Sequence, residues 1–371
     1  MVDRDTLAAW LRLVETADLG RAAARRLLAA FGSPQAVLAA AVGTVREVAG
    51  PAAAAALAKP HDTLPTLVEA SLHWLEAPAD EVRTIVTLDD ARYPPLLLET
   101  ADPPLLLYAQ GRIELLQAPS LAVVGSRRPT RQGADDARAF STFLSQAGLT
   151  IVSGLALGID GAAHEGGLAG GASTIAVVGT GLDRVYPRRH LELAHRIARE
   201  GLIVSEFALG TPPLPFQFPA RNRIIAGLAR GTLVVEAALQ SGSLITAQQA
   251  LEAGRDVFAM PGSIHSPQSR GCHALIKQGA KLVDSAADIL EELRWPAAVQ
   301  RPPDSGGTDM ETDAAGDPLL RALGFGPVSL DALVARTGWP AAELNVRLLE
   351  LELDGQVARL PGQLFQRIAQ A

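Results

Sequence analysis

The stretch that most limits the possible folds begins at Leu121. The run Leu-Ala-Val-Val-Gly125 carries no polar alternation, and it leads through Ser126-Arg127-Arg128 into a helical pattern that reaches Arg138. A strand that is apolar on both faces must be covered on both faces, which is the habit of parallel sheets. The same unit recurs down the chain: strands are expected at 149–153, 174–178, 202–205, 232–236, 256–260 and 281–283. Helices are expected between and after them at 133–147, 159–169, 189–200, 244–253, 271–278 and 285–294. Such alternation requires right-handed crossovers and yields an α/β core, a Rossmann-like, mostly parallel sheet. Ligands on sheets of this kind bind beyond the carboxyl ends of the strands, so function is sought in the turns that follow them.

A chain of 371 residues exceeds one small domain, and its texture changes twice. Residues 1–80 are rich in Ala and Leu with helical spacing and breaks at Gly20, Gly32-Ser33-Pro34, Gly43 and Gly50-Pro51, the pattern of a small all-helical domain. It suits a helix-hairpin-helix or sterile-alpha-motif-like bundle and equally a plain packing module, and the spacing leaves both open. The core is expected over 84–295. Residues 296–316, rich in Pro, Gly and acid, read as a flexible linker. Residues 317–371 hold three short helical patterns and a closing hairpin, with capping chemistry at Ser329 and Asp331 and a break at Gly338, which suits a small winged-helix-like domain. The helix that would read a groove carries Glu343, Glu350 and Glu352 against Arg347, so duplex phosphates should repel it. A protein-contact module or a degenerate winged helix is the expectation.

Composition excludes several classes. No run of about 18 uncharged apolar residues is present, so no membrane span is expected. The first eleven residues carry three charges and no apolar signal core, which points to the cytoplasm. A single cysteine, Cys272, allows no internal disulfide and no cysteine-rich metal site. The net charge of −7 means that any nucleic-acid function must come from a local patch.

The turns supply that patch. In Gly125-Ser126-Arg127-Arg128 the glycine admits close approach of an anion, the hydroxyl can donate, and a guanidinium can grip two phosphate oxygens, with the following helix start adding its dipole. A dinucleotide cofactor is not expected: the fingerprint G-x-G-x-x-G and the acidic residue ending the next strand are both missing. Asp160 and His164, four apart, are either an acid/base pair or a helix cap beside a hydrogen-bonded histidine. Arg188 and Arg189 open a helix, where cations are disfavoured unless an anion is shared. The richest turn runs from Thr211 to Arg223, read as a proline-stiffened loop in which Phe216 and Phe218 precede Arg221-Asn222-Arg223. Rings beside guanidinium groups suit single-stranded nucleic acid, the bases stacking and the phosphates pairing, unless the phenylalanines plug the core beneath the loop.

Six motifs in order, GSRRPT, SGLALGIDGAAH, TIAVVGTGLDRVYP, FQFPARNRIIAGL, VVEAALQSGSLITAQQALEAGRDVFAMPGSI and GCHALIKQGAKLV, resemble the DNA-processing protein A family (DprA, also called Smf) over roughly Thr84 to Leu293. The resemblance implies a homodimeric single-stranded-DNA-binding protein, neither enzyme nor cofactor binder, that helps to load the RecA recombinase during natural transformation. It implies phosphate contacts for Ser126 and Arg127, base stacking by Phe218, a shared pocket for Arg221 and Arg223, and a dimer contact around His273, Leu275 and Ile276. The chain departs from the family at Pro215, where relatives often carry Lys; Arg188 or Arg189 is expected to substitute. A rival is a nucleotide-cleaving enzyme similar to lysine-decarboxylase-like phosphoribohydrolases, but Gln249 stands where that group's catalytic Glu would be. A purely structural scaffold is the third reading, and the basic, aromatic turns argue against it.

Overall fold

The structure is a computed structural model that describes residues 3–296, 317–323, 328–360 and 362–367. The chain forms two compact units, Met1–Ala297 and Ala298–Ala371. Apart from Pro296, the segment expected as a linker lies outside the described residues.

The first unit opens with six helices, α1 (Arg4–Glu15), α2 (Arg21–Phe31), α3 (Pro34–Ala39), α4 (Val42–Ala49), α5 (Pro51–Ala58) and α6 (Leu64–Glu76). The breaks read from the sequence end them: Gly32 takes the left-handed conformation that caps α2, and Ser33 caps α3 by accepting from Ala36 N. Their apolar faces, with Leu7, Trp10, Leu11 and Leu27 inside, share one core with Ile85, Leu106 and Tyr108 of the sheet. The helical domain is therefore seated on the sheet edge. Tyr108 contributes both area and a hydrogen bond, its hydroxyl lying 3.0 Å from Ser71 Oγ.

Nine strands form the sheet: β1 (Arg83–Thr87), β2 (Leu106–Gly111), β3 (Ser120–Gly125), β4 (Thr150–Ser153), β5 (Thr174–Val177), β6 (Leu202–Ser205), β7 (Gly231–Val235), β8 (Asp256–Ala259) and β9 (Lys281–Leu282). Their spatial order is β1-β2-β6-β5-β4-β3-β7-β8-β9. All neighbours from β6 to β9 pair in parallel, while β1 and β2 add an antiparallel edge. Helices α7 (Pro95–Leu98), α8 (Arg131–Gln146), α9 (Ile159–Ala169), α10 (Leu191–Glu200), α11 (Gln217–Leu228), α12 (Gly242–Glu252), α13 (Arg270–Lys277) and α14 (Ala286–Glu292) cover it. One cluster of buried side chains takes Ala122, Val124 and Val234 from one face of the central strands, and another takes Leu121, Val123 and Leu233 from the other. That division is why these strands read as uninterrupted apolar runs. From β3 the chain steps through β4 and β5 to β6, then returns to β7 on the other side of β3. The crevice between β3 and β7 is the switch point of the sheet.

One element differs from the sequence reading. The segment taken as a proline-stiffened loop becomes helix α11 from Gln217 onward. Pro219 does not prevent this, because it sits in the first turn, where its missing N–H has no intrahelical partner to lose.

The second unit holds α15 (Pro318–Leu323), β10 (Val328–Ser329), α16 (Leu330–Thr337), α17 (Ala341–Leu353), β11 (Val357–Leu360) and β12 (Leu364–Arg367), with strand order β10-β12-β11. Ser329 caps α16 by accepting from Ala332 N, and Gly338 closes it in the left-handed conformation. Leu333, Leu344, Leu348, Leu351 and Phe365 form its core. This is a winged-helix arrangement. Among the described residues no helix is long and apolar enough to cross a membrane.

Candidate nucleic-acid interface

A cleft of about 450 Å³ opens at the switch point. Gly125, Ser126 and Arg127 enter it from the end of β3, Ala156 and Asp160 from the start of α9, Phe218, Arg221, Asn222 and Ile225 from α11, and Gln240 to Ser243 from the start of α12. The turns approach one another backbone to backbone. A Cβ on Gly125 would collide with the Val235 carbonyl, and one on Gly154 would lie 2.6–2.7 Å from the guanidinium of Arg221. Glycine is required at both places by contact rather than by flexibility.

Helix α11 sorts its residues by face. Positions 218, 221, 222 and 225, spaced i, i+3, i+4 and i+7, look into the cleft, whereas Arg223 lies two residues, about 200°, around the helix from Arg221. Arg223 meets Glu206 at 2.5 Å and Asp102 at 3.1 Å, and Asp102 is held in turn by Arg21 and Arg25 of α2. Burial pushes the Asp102 carboxyl up, but the hydrogen bonds from Arg21 and Arg25 and the field of Arg223 outweigh it and hold the group at about 2. The pocket expected to be shared by Arg221 and Arg223 is therefore split. Arg223 anchors the helical domain to α11 and does not line the cleft. A loop would have let both arginines face one ligand; a helix cannot.

Arg221 is only 3 % exposed. Its Nη1 donates to the carbonyl oxygens of Gly154 and Val177, and its buried Nε has no partner. Burial lowers its pKa to about 10; Asp160 pulls the other way and Arg127 adds repulsion. Asp160 itself accepts from the backbone N–H groups of Gly154 (3.1 Å) and Ala156 (3.2 Å), and burial raises its pKa against the pull of Arg221 and those hydrogen bonds. Asp160 thus fixes the loop after β4.

His164 is wholly buried. Leu155 N donates to its Nε2 at 3.2 Å, so Nδ1 carries the proton and faces Thr174 Oγ1 at 2.8 Å, while the Thr174 hydroxyl donates to Ile151 O at 2.7 Å. Burial, with repulsion from His190 and Arg221, holds its pKa down at about 3. Of the two readings of Asp160 and His164, the acid/base pair fails and the other holds for the hydrogen-bonded histidine alone: Asp160 is bonded to the loop before α9 and does not cap the helix.

Arg127 and Phe218 meet at the mouth, the guanidinium 5.8 Å from the ring centroid. Phe218 is half-buried, with Tyr186 at 5.6 Å between centroids and Gly179 beneath it, where a Cβ would come within 3.1 Å of the ring. Tyr186 is 48 % exposed and is the aromatic that the sequence reading passed over. Its signal was present in the glycine-lined turn ending Val185-Tyr186-Pro187. Phe216 is 68 % exposed and precedes α11, so it plugs no core. Arg128, Arg188 and Arg189 are exposed but do not line the cleft.

Ser126 closes its own turn, accepting from Arg128 N at 3.1 Å and donating to Gln268 Oε1 at 3.3 Å. The start of α8 was expected to offer its dipole to the anion. It is occupied by the protein: Thr130 Oγ1 accepts from Gly133 N, and the Glu236 carboxylate takes the Thr130 N–H at 2.8 Å. The α12 start, Gly242 and Ser243, faces the cleft instead, and Asn222 Nδ2 reaches Gly242 O at 3.4 Å.

Of the residues expected at a dimer contact, Leu275 lies in the core with Cys272, Ile276 packs against that core, and His273 holds Gly262 O through Nε2 at 3.0 Å. The apolar side of α13 thus turns onto the sheet, which leaves Leu275 no outward surface for a partner. Among the described residues no group of three or more His, Cys, Asp or Glu could hold a metal ion.

Fold and site together define an α/β protein with a basic, aromatic-rimmed cleft at the switch point of its sheet. The family model for DNA recombination-mediator protein A matches residues 84–294, and that for the DprA winged helix domain matches 301–363. The chain is 46% identical over 300 residues to Protein Smf of Escherichia coli (strain K12), covering 80% of this chain and 79% of the relative. It is 52% identical over 208 residues to DNA processing protein DprA of Streptococcus pneumoniae (strain ATCC BAA-255 / R6), covering 56% and 73%. The X-ray structure of DprA from Streptococcus pneumoniae superposes with a TM-score of 0.67 at 40% identity, covering 77% of this chain and 97% of that one. A Helicobacter pylori structure described for the single-stranded DNA binding mode of DNA processing protein A matches with a TM-score of 0.52 at 31% identity, over 57% and 96% of the chains. This chain belongs to the DNA recombination-mediator protein A family.

Proposed function

We propose that the chain is a recombination mediator of natural transformation that binds single-stranded DNA in the cleft between β3 and β7 and, as a homodimer in the cytoplasm, passes the strand to RecA. The observation that carries this reading is the meeting of Arg127 with Phe218: a cation for a phosphate and a ring for a base stand 5.8 Å apart at the mouth of one cleft. The Helicobacter pylori relative described for single-strand binding supports it. Tyr186 extends the stacking surface, and Arg128, Arg188 and Arg189 supply exposed charge for the strand outside the cleft. Arg221 and Asn222 contact the bound nucleotide from α11, while Phe216 offers a further ring at the start of that helix.

Nucleotide cleavage is disfavoured by the same residues. Asp160, the carboxylate that lines the cleft, is engaged by two backbone N–H groups, and Gln249 replaces the acid that the rival chemistry requires. The test is binding of single-stranded against double-stranded oligonucleotides over a salt series. Tighter single-strand binding that weakens linearly in log salt is expected; equal binding of duplex would remove the stacking role from the rings.

A further inference from the structure

Arg221 is a cation held inside the protein without an ion-pair partner among the described residues. Its Nη1 is spent on two carbonyl oxygens and its Nε on nothing, and Asp160 is occupied by backbone N–H groups. The guanidinium stays there because Gly154 leaves the room for it. Asp160 offsets part of that charge from the protein side, and with Arg127 the cleft still holds two guanidinium groups against one carboxylate, on the side of Arg221 that opens to it. Two further sources of positive potential border the same space: the Arg127 guanidinium, close enough to disfavour the charge on Arg221, and the start of the eleven-residue helix α12 at Gly242 and Ser243. An internal phosphodiester brings one negative charge, and a phosphomonoester above its second pKa brings two. The volume of about 450 Å³ is that of a small-ligand site.

We infer that the cleft selects a phosphomonoester dianion, either the phosphorylated end of a DNA strand or a free nucleoside monophosphate, seated between Arg221, Arg127 and the α12 start. This rests on the single-strand reading above and adds to it a preference for an end over an internal position. The charged groups facing the phosphate are Arg127 from the β3 turn, Asp160 from α9 and Arg221 from α11; the α12 side contributes only Gln240, Ser241, Ser243 and Thr246. His190 lies behind α9, bonded to Leu155 O at 3.0 Å.

The test uses the full chain and short oligothymidylates carrying a 5′-phosphate, a 3′-phosphate or hydroxyls at both ends, with thymidine 5′-monophosphate as competitor. At about pH 8 one of the phosphorylated strands should bind about tenfold more tightly than the hydroxyl strand, and the preference should vanish at about pH 5, where the monoester loses its second charge. The hydroxyl strand corrects for titration of the protein. Arg221→Ala also removes the bonds to Gly154 and Val177 and so tests folding first; Arg127→Ala, at an exposed position, should cut the preference by at least half without lowering the melting temperature. Competition by the monophosphate with no binding of any strand would remove the single-strand reading and leave a free-nucleotide site. Equal affinities for all three strands at pH 8, or a preference that persists at pH 5, would overturn the dianion site and leave the single-strand reading intact.

Discussion

Helices α11 and α17 differ by one residue in length, and each carries arginine in its middle, yet only α11 turns an arginine into a cleft without an ion-pair partner among the described residues. On α11 the face formed by Phe218, Arg221, Asn222 and Ile225 lines a cleft, and among the described residues no carboxylate makes an ion pair with the arginine there, Asp160 acting on it only through its field. On α17 Arg347 is closed off by Asp317 and Glu350, both at 2.6 Å, and the outward face presents Val346, Leu349 and Leu353 beside Glu343, Glu350 and Glu352. The difference teaches that a chain of net charge −7 can handle an anion by leaving a few cations unneutralised in one place. A winged helix alone does not make a groove reader.

The largest contrast between the two regions should appear at glycines. Gly125→Ala drives a methyl into the Val235 carbonyl of the neighbouring strand, which cannot move without breaking the sheet, and should cost at least about 4 kcal/mol of folding stability. Gly355, just past α17, has no atom within 4 Å of a Cβ but a φ of +71°, so Gly355→Ala should cost about 1–2 kcal/mol. Thermal and denaturant melts read both. A smaller effect for Gly125 than for Gly355 would mean that the turn around the cleft is not packed as described.

Next comes Arg223, which separates a structural arginine from a binding one. Arg223→Ala leaves the buried Glu206 with only Arg21, at 3.8 Å, and should cost about 3 kcal/mol of stability while leaving the salt dependence of strand binding unchanged. A flatter salt slope at full stability would return Arg223 to the phosphate site.

Phe218→Ala should weaken strand binding by about 1–3 kcal/mol at every ionic strength, because stacking carries no net charge. Arg127→Ala should weaken it less at moderate salt, and differently: it removes about one released counterion and lowers the slope of log affinity against log salt by roughly 0.7. Since Arg127 lies over the Phe218 ring, the double variant should lose less than the two single losses combined. Strict additivity would mean that the two residues do not serve one nucleotide.

How much of this was legible in the sequence depends on what carried the signal. The strands of the core announced themselves because both faces are buried, and Ser120–Gly125, Thr150–Ser153 and Gly231–Val235 fall within a residue of where their apolar runs place them. The residues of the cleft were named as types and partly misplaced as geometry. Prolines at 212, 213, 215 and 219 read as a loop, and only the spacing 218, 221, 222, 225 could have revealed a helix that sends Arg221 inward and Arg223 toward α2. The capture of the α8 start by Glu236 was beyond reach, since the two lie 106 residues apart and no local pattern joins Thr130 to Glu236. The burial of Leu275 was not legible either, since the apolar residues of a helix such as α13 do not say which surface they cover.

The smallest effect should come from the α17 side of the comparison. Removing Ala298–Ala371 takes away a unit with its own core, so the remainder keeps its sheet, its helical domain and every residue that lines the cleft. The segment removed with α17 carries ten Asp or Glu against six Arg, so its loss lowers the net negative charge and weakens any general repulsion of the strand. Affinity of the truncated chain for single-stranded oligonucleotides should stay within about threefold of the full chain, a difference under about 0.7 kcal/mol, and the salt slope should not fall. A gel shift and a fluorescence titration on the two chains at matched salt measure this. A truncated chain that folds, keeps its melting transition and yet binds strands tenfold more weakly would place an essential contact in the winged helix, and the contrast between α11 and α17 would then have to be drawn the other way.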